Sequence, residues 1–319
     1  FVRSFVEHFI DILNEKTDFN SKVVVIQPRA PHARSQEIKQ ALEEQDNLYT
    51  LHLRGQENGQ PTNESRVISC ISRILNSHTD FDAFMALAEN PELRFITCNT
   101  TETGIIYDPR CEFTDRPAAS FPGKLTQFLY ARYQLFGQEH GKGFVFLPCE
   151  LFEDNGKALK KCILNYVEQW NLGKDFVRWI KEENIFCTTL VDRIVIGYPS
   201  DAEELDKAMG WVDKAMSAAE DFSTWYIESP VSLENELPFE KADLPVILSR
   251  SIRPYRERKI RILNGVHTAM VLGSYLMGYD NVNDSMKDEV ISKYVNKVLF
   301  EEIVPTLTLP GEEVTEFAN

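Results

Sequence analysis

Short apolar runs alternating with helix-patterned stretches constrain this chain more than any other feature. Lys22 to Ile26 places Val23, Val24, Val25 and Ile26 in succession. β-branched side chains of that kind suit a buried strand better than a helix interior. Tyr49 to Leu53 alternates as a strand does, and Leu93 to Cys98 and Gly143 to Leu147 are two more short apolar runs. Between and after them, helical spacing predicts helices over residues 1–13, 33–45, 81–88, 121–136, 156–170 and 174–182. The alternation predicts an α/β fold, a doubly wound parallel sheet with helices on both faces. Ligands of such sheets meet the carboxyl ends of the strands. Three polar segments stand there: Gln27-Pro28-Arg29, Asn99-Thr100-Thr101-Glu102 and Pro148-Cys149-Glu150. A plain loop is the competing reading for each.

The pattern changes near residue 240. Leu237-Pro238 and Leu244-Pro245 punctuate a connection, and after Pro254 the sequence reads as helical to about residue 304. Proline suits the first turn of a helix, where its missing N–H costs nothing. The expected division is therefore a sheet domain over 1–243 and the start of a mostly helical domain over 244–319. Both ends read as cut: the chain opens on Phe1-Val2-Arg3 inside a helical pattern and stops in what reads as another helix.

Composition narrows the function classes. With 34 basic and 49 acidic residues the formal charge is −15, which disfavours nucleic acid and anionic membrane surfaces as partners. No apolar run approaches the ~20 residues of a membrane span, and no secretory signal is visible. Cys70, Cys98, Cys111, Cys149, Cys162 and Cys187 are scattered, with no Cys-x-x-Cys pair. Reduced thiols in a cytoplasmic protein are the simplest account, with no structural zinc or disulfide framework.

The chemistry concentrates in one run, Arg258 to His267. On a helix, Lys259, Asn264 and His267 span an arc of about 140° at 100° per residue, so all three can face one cleft. A lysine, an amide and an imidazole together can move a proton and hold a carbonyl oxygen without a metal. A lysine's ordinary pKa of ~10.4 has to fall for that work, and burial or the nearby Arg258 and Arg261 would lower it. A solvated basic face with a structural histidine is the competing reading.

The segment Pro254 to Ala269 resembles the catalytic helix of the mannitol dehydrogenase family, metal-independent NAD-dependent polyol and sugar-acid dehydrogenases. The family's Lys-x4-Asn-x2-His pattern falls on Lys259, Asn264 and His267 without a gap. The likeness spans the chain and is nearest to the tagaturonate reductase (altronate oxidoreductase) branch. It runs through Glu44 to Thr50, Asn99 to Glu102, Pro148 to Leu151, Thr189 to Val195 and Phe300 to Thr306. It implies a Rossmann-like domain, an NAD cofactor, a small sugar-acid substrate and reversible hydride transfer between D-tagaturonate and D-altronate. Lys259 is then the general acid, and Asn264 and His267 hold the carbonyl oxygen. Phe1, Val2 and Arg3 become the remnant of the pyrophosphate site, after a strand and Gly-rich loop absent from this chain. Gln27, Asn99, Thr100 and Thr101 complete the expected cofactor contacts, although Gln27 stands where an acidic residue often holds the adenosine ribose. Asp192 matches an aspartate near the substrate hydroxyls, with a salt bridge as its alternative.

Two departures separate this chain from the polyol enzymes. Leu151 replaces an asparagine that donates to the alkoxide, leaving the second oxyanion donor open. Arg256 replaces a glutamate, and a fork-shaped donor there suits a substrate carboxylate. The rival readings are a fructuronate reductase or mannitol dehydrogenase of the same family, a non-catalytic binding protein lacking the cofactor loop, and a zinc alcohol dehydrogenase. The lack of clustered cysteines disfavours the last.

Overall fold

The computed structural model describes residues 1–57, 60–101, 103–307 and 311–318. Two compact units emerge, Phe1–Arg250 and Ser251–Asn319. The first runs through α1 (Val6–Lys16), β1 (Val23–Gln27), α2 (Ala33–Glu44), β2 (Tyr49–Glu57), β3 (Gln60–Ile68), β4 (Ile71–Asn76), α3 (Phe81–Ala86), β5 (Phe95–Cys98), α4 (Phe121–Phe136) and β6 (Val145–Pro148). It continues through α5 (Asn155–Gln169), α6 (Lys174–Glu182), β7 (Ile185–Phe186), β8 (Thr188–Asp192), β9 (Val195–Gly197), α7 (Ala202–Met209), β10 (Ser217–Glu220), β11 (Thr224–Glu228) and β12 (Val246–Ser249).

The strands form a Rossmann-like arrangement with mixed additions. β1 pairs with β4 in parallel, and β5-β6-β7 form a second parallel sheet. Their orders match positions 3-2 and 4-5-6 of the doubly wound pattern. β6 shows why its sequence runs continuously apolar. Alternate residues point to opposite faces, so Phe144 and Phe146 pack with Leu125, Phe128 and Ile163 of α4 and α5. Val145 and Leu147 pack on Phe5, Phe9 and Leu13 along α1, together with Trp225. Each of these side chains contributes about 1.5–3 kcal/mol by leaving water.

Mixed sheets stand beside the parallel strands of the doubly wound pattern. β3-β2-β10-β9 and β12-β11-β8 are mixed sheets, with β2 antiparallel to β3 and β8 antiparallel to β11. β3 gives no apolar alternation because most of its residues are solvent-exposed. Its side chains need not match a core, so its register comes from backbone pairing with β2 alone.

β12 pairs with β11 in parallel, so residues 246–249 belong with the first unit. The second unit carries α8 (Arg253–Lys259), a π-helical turn at Ile260–Asn264, α9 (Gly265–Leu276), α10 (Val282–Lys287), α11 (Glu289–Lys297), a second π turn at Val298–Ile303 and α12 (Gly311–Ala318). Pro254 lies in the first turn of α8, where its ring fits. Ile262, Leu299 and Val314 form one small core, and Met270, Ile291 and Val295 another. Among the described residues no helix is long and apolar enough to cross a membrane.

Candidate active site

In the first unit, the carboxyl ends of β1 and β5 open onto a cleft of about 570 Å³. Gln27, Pro28, Arg29 and His32 form one wall. Asn99, Thr100, Thr101, Thr103 and Gly104 form the second, with Ser120 and Lys124 beyond them. Four expected cofactor residues, Gln27, Asn99, Thr100 and Thr101, are thus brought together. Glu102, from the same motif, lies outside the described residues.

Phe1, Val2 and Arg3 are not part of this lining. Phe1 stacks on Phe5 at 4.9 Å. Arg3 donates to Ala215 O at 2.7 Å and lies over the Tyr49 ring. A larger groove of about 680 Å³ at the amino end of β5, lined by Lys16, Phe19, Phe95 and Glu236, gathers none of the candidate residues. It lies at the end of the strand where doubly wound folds do not bind ligands.

A buried carboxylate shapes the Asn99–Gly104 loop. Glu150 Oε1 accepts from Thr100 N and Thr100 Oγ1, both at 2.8 Å, and Oε2 accepts from the Cys98 thiol at 3.5 Å. Asn99 donates to Cys149 O at 2.7 Å. Thr101 sits at φ 71°, a left-handed conformation that costs a threonine energy and marks a constrained loop. Gly104 is needed here, because a Cβ on it would lie 2.1 Å from Thr100 Oγ1. On the opposite wall, Gln27 is already engaged: its amide donates to Ser35 O at 2.9 Å and accepts from Asn76 at 3.4 Å. Burial raises the Cys98 thiol pKa well above its ordinary value and pushes Cys149 up to about 12, so neither serves as a nucleophile at neutral pH.

Beyond Pro148 the chain departs from what its motif suggested. Leu151 is 61% exposed. The nearby amide, Asn155, is fully buried and committed. It donates to Pro148 O, Glu150 O and Thr189 O at 2.9–3.0 Å and accepts from Gly156 N and Thr189 N. With both donors spent it cannot replace the missing oxyanion amide, and it acts as a clamp between β6 and β8. Asp192 ends β8 opposite Thr224. Its neighbour Arg193 turns inward, bonding Ser4 O, Asp221 O and His8.

In the second unit, Lys259 closes α8 and Asn264 closes the π turn, whose i→i−5 pattern shows in the Gly265 N–H bond to Ile260 O. A π turn absorbs one extra residue. Lys259 to Asn264 therefore advances roughly as four α-helical residues do, leaving Asn264 about 40° from Lys259. His267 then falls about 20° to the other side and Arg256 about 60° away, so the four span about 80° instead of about 140°. The axial reach from Lys259 to His267 shortens to about 10.5 Å.

Lys259 and Arg256 are half-buried, and Asn264 and His267 are exposed. His267 Nδ1 lies 2.7 Å from Leu263 O. A carbonyl only accepts, so Nδ1 donates to it, and Nε2 is the ring nitrogen left for a substrate. Arg261 reaches Thr306 O at 3.1 Å and Arg258 lies over the Phe317 ring, so both are used in packing their own unit. Among the described residues no carboxylate pairs with Arg256, and no group of three His, Cys, Asp or Glu side chains is placed to hold a metal. The π turn, Lys124, Gly104 and the Asn155 clamp went unread in the sequence. Only Gly156 following Asn155, as a small residue opening a helix, hinted at any of them.

The sequence matches the mannitol dehydrogenase Rossmann domain over residues 1–241 and the mannitol dehydrogenase C-terminal domain over residues 251–319. It is 44% identical to an altronate oxidoreductase of Klebsiella pneumoniae and 45% identical to one of Phocaeicola vulgatus. All of this chain is covered, against 65% and 66% of those relatives; the chain thus spans just under two thirds of their length. A substrate-free D-sorbitol dehydrogenase superposes with a TM-score of 0.83 at 23% identity, covering 100% of this chain and 68% of that one. The mannitol 2-dehydrogenase of Pseudomonas fluorescens, solved with NAD and D-mannitol, gives 0.73 at 22% identity, covering 100% and 66%. Both share the fold of this chain, and the two domain matches together show that it belongs to the mannitol dehydrogenase family.

Proposed function

We propose that this chain is the cofactor-binding and catalytic part of an NAD-dependent oxidoreductase that interconverts D-tagaturonate and D-altronate. What supports the reading most is that Lys259, Asn264 and His267 stand on a helix whose π turn would narrow the arc between them. The altronate oxidoreductase names of relatives 44–45% identical point to the substrate. Cytoplasmic residence and a soluble small-molecule substrate fit the composition.

The β1/β5 cleft suits the cofactor in position and in chemistry. It stands at the strand ends where dinucleotides bind, and Arg29 and Lys124 give it basic walls. Gln27 and the Asn99–Thr101 loop would hold the cofactor there. When bound, the reduced nicotinamide supplies the hydride for the substrate carbonyl carbon. Lys259 donates a proton to the carbonyl oxygen as charge builds on it. Asn264 donates a hydrogen bond to the same oxygen. His267 binds the same oxygen or a neighbouring substrate hydroxyl through Nε2. Arg256 takes the substrate carboxylate, and Asp192 is assigned to the substrate hydroxyls.

The test is NADH oxidation with D-tagaturonate, D-fructuronate and D-fructose. Tagaturonate is expected to turn over fastest, and Lys259→Ala to lose at least 100-fold in kcat, the general acid–base contribution. Undiminished turnover in Lys259→Ala would overturn the mechanism. Faster turnover of fructuronate or fructose would move the assignment to another member of the family.

A further inference from the structure

Lys124 has no part in the chemistry above, yet it is a buried cation of the first unit. It is only 4% exposed, lies in the first turns of α4 and lines the β1/β5 cleft. Its ammonium donates to Ala119 O at 2.7 Å. Among the described residues no carboxylate pairs with it. Burial pushes its pKa down to about 8, and burial first, then the Lys124 charge, lower the pKa of His78. A buried charge without a counter-ion is destabilising unless a ligand supplies one.

The rest of the cleft has the same sign. Arg29 stands on the β1 wall and is in no ion pair among the described residues. Asp108 is the one carboxylate in the described lining, and Arg110 neutralises it with contacts of 2.8 and 2.9 Å. The amino end of the 16-residue α4, capped by Ser120, adds its positive dipole end to the same wall. A chain with a net charge of −15 has kept this one cleft basic and its acid occupied.

We infer that Lys124 is the anion-binding residue of the β1/β5 cleft and receives a phosphate group of the bound nucleotide, with Arg29 facing it from the β1 wall. The inference rests on the nucleotide-cofactor reading. The phosphate is one of the 5′-diphosphate of the dinucleotide, since NAD carries no other.

Isothermal titration of the protein and of Lys124→Met with ADP, adenosine 2′-phosphate, inorganic pyrophosphate, adenosine and NADH decides it. Lys124→Met is expected to weaken ADP and pyrophosphate about tenfold or more, the loss of one charge-assisted contact, and to leave adenosine unchanged. Stronger loss for adenosine 2′-phosphate than for ADP overturns the assignment to the 5′-diphosphate. Equal ADP affinity in the two proteins overturns the Lys124 site while the cofactor reading stands. Pyrophosphate binding that depends on Lys124 without any NADH binding supports the anion site and overturns the nucleotide reading. Should Lys124→Met not fold, Lys124→Arg must keep ADP binding, and wild-type ADP affinity must fall with added salt. ADP binding insensitive to salt refutes the inference.

Discussion

Replacing Asn155 by alanine tests the clamp that positions the β6 side of the site. The side chain is fully buried and makes five hydrogen bonds. Pro148 O would keep a partner, because the Thr189 hydroxyl also donates to it. Glu150 O, Thr189 O, Gly156 N and Thr189 N would each lose the bond that Asn155 now provides. At about 1 kcal/mol for each stranded group, the cost is roughly 4 kcal/mol. For a unit of this size that lowers Tm by roughly 8–16 °C. Differential scanning calorimetry gives the number, and hydrogen exchange gives its location, with the Thr189 and Gly156 amides expected to lose protection first. A fall of less than about 3 °C would mean that water replaces the amide at no cost, and the claim that Asn155 holds β6 to β8 would be wrong.

Two further outcomes follow from single side chains. Arg256→Ala is expected to raise KM for a carboxylate-bearing sugar by roughly tenfold or more, the worth of a charge-assisted pair, while KM for fructose stays put; equal changes for both would remove Arg256 from the substrate carboxylate. Burial lifts the Glu7 carboxyl to about 7, with the Tyr49 hydroxyl bond opposing, so its contribution to stability is full below its unfolded pKa near 4.5 and is lost as pH rises through about 7, roughly 3 kcal/mol in all. Glu7→Gln should therefore stabilise the protein more at pH 8 than at pH 5 in urea denaturation, and a gain independent of pH would refute the burial account.

The legible parts of the fold were those where burial on both faces wrote itself into the residues. Val23 to Ile26 and Gly143 to Leu147 are apolar without interruption because helices or strands cover both sides of them. β3 was unreadable for the opposite reason: most of it faces solvent, so its side chains answer to no core and backbone pairing with β2 does the placing. The expected break at 243/244 followed the prolines, whereas the described units divide after Arg250 because β12 needs β11 as a partner. A pairing made with a distant strand leaves no mark in the local sequence.

The site divides along the same line. Gln27, Asn99, Thr100 and Thr101 were found because strand ends can be located from strand patterns, and all four line the cleft. Lys124 carries no signal in the sequence, because its burial is created by packing alone. The Lys259 run shows the limit most sharply. Its residues were legible but its geometry was not, since 100° per residue scatters Lys259, Asn264 and His267 over about 140°. No propensity announces that Gly265 will bond back to Ile260. Ile262 must reach Leu299 and Val314 in the small core of its own unit while Lys259, Asn264 and His267 share another face. An unbroken α-helix would not give the three so narrow an arc with the same spacing. One extra residue wound into the turn keeps Ile262 on that core while narrowing the arc of the other three.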